Sequence, residues 1–264
     1  MSKSKQHKTN KRNASKSGKH YIITGINPIL TLLENNPTRV LSTMVSDVAN
    51  KSQRLEHVLQ LIEKHRISLN VLPVETFKTR FEGVTQGIAA EVTVPKAQTG
   101  NALQTWLKQE LPENCLLLIL DQIQDPHNLG AILRTADAAG VDAVITSDKN
   151  TVSLNATVSK VASGGAESVP IFRVTNLNRA IEAIKDAGIW LIGTTDHAEQ
   201  NIYEQTFSGS LALVMGSEGS GLRRLTEESC DYLVKLPMAG VVNSLNVSVA
   251  TGVCLYEIKR QLNT

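Results

Sequence analysis

Cys115-Leu-Leu-Leu-Ile-Leu-Asp121 is a continuous apolar run closed by a carboxylate, and Asp125-Pro-His-Asn-Leu-Gly-Ala-Ile-Leu-Arg-Thr-Ala-Asp-Ala-Ala-Gly140 follows after a short polar gap. A run without alternation suits a strand buried on both faces, the environment inside a parallel sheet. In the second segment Leu129, Ile132, Leu133 and Ala136 recur at helical spacing, so the pair reads as strand then helix. The alternation continues downstream, with strands expected at 141–146, 169–173, 189–194, 211–216 and 232–236 and helices at 129–139, 176–187 and 245–261. This is an α/β domain with a mostly parallel sheet covered on both faces. Ligands of such sheets bind beyond the carboxyl ends of the strands, so chemistry is expected in the segments that follow them.

Upstream, residues 21–95 form a smaller α/β unit. Its strands are expected at 39–45, 68–72 and 88–94, and its helix at 51–65 carries Leu55, Val58, Leu59 and Ile62 on one face. The loop Gly83-Val-Thr-Gln-Gly87 presents Gln86, as an exposed binding residue or as part of a plain turn. Residues 96–113, with Gly100, Pro112 and a short amphipathic helix near Trp106, read as a linker. The expected organisation is a tail (1–20), a small unit (21–95), a linker (96–113) and a large unit (114–264).

The chain has 264 residues and a net charge of +2, from 27 basic and 25 acidic side chains. That small sum hides an asymmetry. Lys3, Lys5, Lys8, Lys11, Arg12, Lys16 and Lys19 lie in the first twenty residues with no acid among them, so the body is net negative. Such a segment is expected to stay unstructured and to bind RNA by displacing counterions from phosphates. A solubilising role and a transit peptide are the alternatives, and the missing apolar face speaks against the second. Cys115, Cys230 and Cys254 are odd in number and form no CxxC pair, which points to reduced thiols and no metal site. No apolar run approaches the ~20 residues of a membrane span. A cytoplasmic protein is expected.

Three segments carry candidate chemistry. In the first, Asn128 opens the helix, and Arg134 lies about 140° around it from Leu129, off the apolar stripe. A cap and a solvated surface residue would look the same. The second is Met215-Gly-Ser-Glu-Gly-Ser-Gly221, whose glycines permit close backbone approach. It lacks the Lys of a phosphate loop and offers Glu218 instead, which suits a cofactor bearing adenine and ribose but no phosphate. S-adenosyl-L-methionine fits that description. The third is Leu236-Pro-Met-Ala-Gly-Val-Val-Asn-Ser-Leu-Asn-Val-Ser248, where Asn243, Ser244, Asn246 and Ser248 crowd the start of a helix. One of them suffices as a cap. The rest form a polar surface at the positive end of the helix.

Taken together, Asp125-Pro-His-Asn-Leu-Gly with Arg134, Met215-Gly-Ser-Glu-Gly with Gly221, and Leu236-Pro-Met with Ser244-Leu-Asn-Val-Ser248 resemble the SpoU/TrmH (SPOUT) family of RNA ribose 2′-O-methyltransferases. Gly25-Ile-Asn-Pro and Gln86-Gly-Ile resemble the substrate-binding domain of its ribosomal-RNA branch, although Thr85 stands where histidine is usual. The resemblance covers about residues 21–262. It implies a trefoil-knotted C-terminal domain, a homodimer and a pocket completed by the partner subunit. It also implies methylation of a guanosine ribose in the peptidyl-transferase region of 23S rRNA. Asn128, Arg134, Glu218, Ser244 and Asn246 would surround the reacting ribose, and Thr194, Gly216, Leu236, Met238 and Leu245 would hold S-adenosyl-L-methionine. A tRNA ribose methyltransferase of the same family and a non-catalytic rRNA-binding assembly factor are the alternatives.

Overall fold

The computed structural model describes residues 20–49, 52–81, 83 and 85–263. The tail residues Lys3, Lys5, Lys8, Lys11, Arg12, Lys16 and Lys19 lie outside the described residues.

The first unit runs β1 (His20–Thr24), α1 (Ile26–Asn35), a 3₁₀ turn (Pro37–Arg39), β2 (Val40–Ser46), α2 (Gln53–Lys64), β3 (Ser68–Leu72), α3 (Val74–Arg80) and β4 (Ile88–Thr93). Its sheet has the order β1-β4-β2-β3. Ser52 caps α2 by accepting from Leu55 N at 3.2 Å, and Leu55, Val58 and Ile62 bury against Ile29, Leu32 and Leu33 of α1. Helix α1 was not anticipated. Its N-cap, Gly25, has no side chain, and the free N–H of Ile26 is satisfied from sixty residues away by Gln86 Oε1 at 2.8 Å. The two N-terminal motifs therefore meet in space.

The second unit continues with β5 (Gln98–Thr99), α4 (Gly100–Leu107), β6 (Leu116–Leu120), α5 (Pro126–Ala138), β7 (Ala143–Ser147), α6 (Ala156–Ala162), α7 (Gly165–Ser168), β8 (Ile171–Val174), α8 (Leu177–Asp186), β9 (Trp190–Thr194), β10 (Gln200–Asn201), β11 (Leu211–Met215), α9 (Arg224–Glu228), β12 (Tyr232–Lys235) and α10 (Val247–Leu262). Its eight strands lie in the order β10-β12-β9-β11-β6-β7-β8-β5, and every pair is parallel.

The apolar run of β6 divides as its pleat requires. Leu116, Leu118 and Leu120 face the core under α5 and α10, while Leu117 and Ile119 face the core under α4 and α8. Burying one such leucine contributes about 1.5–3 kcal/mol.

The linker reading of 96–113 is corrected in part. Gln98 and Thr99 pair with Phe172 and Arg173 at the edge of the large sheet. Leu103 and Leu107 of α4 bury in its core, and Trp106 packs 5.8 Å from Phe172. A two-residue strand leaves no periodicity to read, and Gly100 opens the helix behind the cap of Thr99 rather than breaking it. Helices α6 and α7 were also missed, because Gly164 and Gly165 look like a turn.

Candidate active site

Because all strands of the large sheet are parallel, the segments after β6, β9, β11 and β12 emerge at one edge, near where the strand order reverses between β6 and β11. Those after β9, β11 and β12 enclose a cleft of about 610 Å³. Thr194, Gly216, Leu236, Met238 and Leu245 all line it, together with Ser244, Asn246 and Glu218.

The loop after β11 is tight. Ser217 N donates to Gly221 O at 3.0 Å and Gly221 N donates back to Ser217 O at 3.1 Å. A Cβ on Gly216 would lie 2.2 Å from the Gly221 carbonyl carbon, so no side chain fits there. Gly219 and Gly221 have φ of +86° and +65°, the region that favours glycine.

The loop's base is pinned by a residue the sequence reading left out. Asp121, buried at the end of β6, accepts from Arg223 Nε at 3.0 Å and Thr226 Oγ1 at 2.9 Å, and Arg223 Nη2 lies 2.8 Å from its other oxygen. A lone carboxylate ending an apolar run was the signal available.

On the exposed rim of the cleft the three candidate segments converge on one oxygen. Glu218 Oε1 accepts from Asn128 Nδ2 at 3.0 Å, Asn246 Nδ2 at 2.6 Å and Val247 N at 3.3 Å. Asn246 Nδ2 also donates to Asn128 Oδ1 at 2.9 Å, and Asn246 Oδ1 accepts from Ser248 N and Ser248 Oγ at 3.0 and 2.5 Å. Asn246 is the cap of α10, and Glu218 adds an acceptor at the positive end of that helix.

Capping does not explain Asn128. The cap of α5 is Asp125, which accepts from His127 N at 2.6 Å behind Pro126 at the first helical position. Asn128 is thereby released to cross to Glu218. Ser244 is exposed on the cleft wall with no hydrogen bond among the described residues.

Arg134 stands apart. It lies on the exposed face of α5, outside the cleft of its own chain, and makes no hydrogen bond or ion pair among the described residues.

Electrostatically the cleft wall is mixed, with Asp196, Glu218 and Glu227 beside Lys235 and His197. His197 Nε2 lies 2.9 Å from Glu227 Oε1 and Nδ1 lies 2.6 Å from Thr195 Oγ1. Hydrogen bonds to Glu227 and then to Asp196 raise its pKa above the ordinary 6.5. Cys254 closes the back of the cleft, where burial pushes its thiol up to about 12.

In the first unit a second depression, of about 480 Å³, is lined by Ile26, Ser52, Lys78, Thr85 and Gln86. Gln86 is exposed there, but its oxygen is committed to Ile26, which leaves the amide NH₂ to face a ligand.

Two family models match separate stretches of the chain. Residues 22–98 match the family described as RNA 2′-O ribose methyltransferase substrate binding. Residues 115–256 match the SpoU rRNA Methylase family. The chain is 46% identical to the 23S rRNA (guanosine-2′-O-)-methyltransferase RlmB of Pseudomonas putida, over 90% of this chain and 96% of that protein. Among solved structures, the SpoU methyltransferase AviRb from Streptomyces viridochromogenes in complex with AdoMet is 25% identical with a TM-score of 0.72, covering 92% of this chain and 90% of that one. The TrmH/SpoU tRNA modifying enzyme of A. aeolicus is 30% identical with a TM-score of 0.51, covering 61% of this chain and 81% of its own. The chain belongs to the SpoU rRNA methylase family.

Proposed function

We propose that this protein transfers the methyl group of S-adenosyl-L-methionine to the ribose 2′-oxygen of a guanosine in 23S rRNA, in the peptidyl-transferase region. One observation carries the reading: three segments from distant parts of the sequence meet on Glu218 Oε1 at the rim of a cleft, in a chain related over nearly its whole length to 23S rRNA guanosine methyltransferases.

The cleft suits the cofactor. Leu236, Met238, Leu245 and Met215 offer an apolar slot for adenine, and the carboxylates of Asp196 and Glu227 suit its ammonium. The bound cofactor supplies an electrophilic methyl group, and the protein supplies position. Asn128, Glu218 and Asn246 lock α5, the loop after β11 and α10 into one geometry. Ser244 orients the hydroxyl. Arg134 pairs with the RNA phosphate beside it, since a guanidinium stays protonated in proteins and binds phosphate in a fork.

The placement of Arg134 outside its own cleft supports a homodimer in which each subunit lends this arginine to the other. Val241, Val242 and Leu245, in the segment that runs along the cleft, and Val249 and Tyr256 on α10 are exposed apolar residues of the kind an interface covers. A trefoil knot in the second unit goes with membership of the SpoU family, and the packing of α10 against α5 is consistent with it. Among the described residues no helix is long and apolar enough to cross a membrane, and a cytoplasmic enzyme fits rRNA as substrate.

The tRNA alternative is weakened by coverage, because the tRNA-modifying relative spans only 61% of this chain. A binding-only assembly factor would not need Asn128, Glu218 and Asn246 joined. Titration with S-adenosyl-L-methionine, NAD and ATP tests the site. Binding of the first alone is expected, and binding of NAD or ATP in its place would end the methyltransferase reading.

A further inference from the structure

Helix α7 is wedged between the two units, and its contacts serve neither the cleft nor the depression near Gln86. On one side Gly164, with φ of +110°, brings the backbone so close to α1 that a Cβ would lie 3.3 Å from Thr31 Oγ1. On the other side a Cβ on Gly165 would lie 2.6 Å from Leu133 O and 3.0 Å from Arg134 Cα. Ser168 Oγ donates to Asp137 Oδ1 at 2.5 Å, fastening α7 to α5 a second time.

Glu167, between these contacts, reaches back to the first unit. Its Oε1 accepts from Arg39 Nη1 at 3.2 Å, and the two side chains are only 6% and 13% exposed. Arg39 is held from its own side by Thr93 O, at 3.2 Å from Nε and 2.7 Å from Nη2, and by Tyr21 Oη at 3.3 Å. Its fork thus joins the small sheet to the helix that backs Arg134.

Such a pair is a poor source of net stability, because taking both charges out of water offsets their attraction. Burial in fact pushes the Glu167 carboxyl up against the pull of Arg39. What a buried pair supplies is a fixed register.

We propose that Arg39 and Glu167 are positioning residues, a latch that fixes the first unit against α5 so that RNA held by residues 21–95 reaches Arg134 in one orientation. The inference rests on the reading of the first unit as the RNA-binding one.

Two measurements on the full-length protein test it. In the first, spin labels at Lys64→Cys and Asp186→Cys on a Cys230→Ser background report the distance between the units. A single narrow distribution is expected for the otherwise native protein and a broad one for Glu167→Ala. In the second, steady-state kinetics on an rRNA fragment should show KM for RNA raised about tenfold in Glu167→Ala, as when only about a tenth of the loosened protein holds the binding-competent orientation. Affinity for S-adenosyl-L-methionine should be unchanged. Glu167→Gln keeps an oxygen for Arg39 Nη1 and should stay within about threefold of native. If Glu167→Ala does not fold, Arg39→Lys keeps the charge but loses the fork and serves instead. Native distance distributions with native KM in the broken variants would overturn the latch, as would equal losses for Ala and Gln. A native protein that methylates no rRNA would sink the functional reading alone, because the distance measurement still judges the latch.

Discussion

Asn246 and Glu218 are joined by a 2.6 Å hydrogen bond from Nδ2 to Oε1, and the same carboxylate oxygen accepts the backbone N–H of Val247. The residue that caps α10 is therefore also the residue that fixes the loop after β11. Asn246→Ala removes both links. It should cost about 1–2 kcal/mol of stability, the range for a lost N-cap, measured by denaturant unfolding. Its rate of methylation should fall on the order of 10²-fold, since a misplaced catalytic wall loses that much. Glu218→Gln keeps the shape but replaces one acceptor oxygen with a donor, so it should lose rate while unfolding close to native.

Arg134→Ala should leave folding and affinity for S-adenosyl-L-methionine near native, because the side chain is exposed and makes no hydrogen bond or ion pair among the described residues. Activity should fall on the order of 10²–10³-fold, as when one pre-positioned charge-stabilising group is removed. Mixing Arg134→Ala with Asn246→Ala subunits should restore part of it, since some mixed dimers then hold one intact pocket. Full activity in the single variant would return Arg134 to a surface residue.

His197 gives a pH signature. Its folded pKa lies above the unfolded value because Glu227 and Asp196 favour the protonated ring, so the native state holds the extra proton. The stability it contributes is fully present below about pH 6.5 and is lost as pH rises through the folded value. His197→Asn should therefore lower Tm more at about pH 6 than at about pH 8.5. A difference independent of pH would contradict the assignment.

Removing residues 1–19 should weaken RNA binding and flatten its salt dependence without changing the modified nucleotide. Lysines and arginines without aromatic partners release counterions but read no bases. The slope of log affinity against log salt, compared with and without the segment, measures this. An unchanged slope would reduce it to a solubility device.

Much of the fold was legible because the large sheet is built from apolar runs whose only stable setting is between two layers, as in β6 and β11. The convergence of three motifs on Glu218 could be expected from the rule that parallel strands emerge at one edge, but the bonds themselves could not. A cap stood as the alternative reading of Asn128, and Asp125 takes that role. Gln86 was legible as an exposed residue of a glycine-bounded loop, but not that its oxygen completes a helix that begins sixty residues earlier. Such pairings across distant sequence leave no local period. Two-residue strands and helices opened by glycine, like β5 and α7, leave none either. Arg134 was legible as lying off the apolar stripe but not as lying outside its own cleft, because spacing along one helix carries no information about loops that arrive from elsewhere.

The central claim is tested most directly by mapping 2′-O-methyl groups on 23S rRNA incubated with the purified protein and S-adenosyl-L-methionine. A single new methylated guanosine in the peptidyl-transferase region is expected, absent with Arg134→Ala and absent without cofactor. No new methyl on 23S rRNA, or a methyl placed on tRNA instead, would contradict the account.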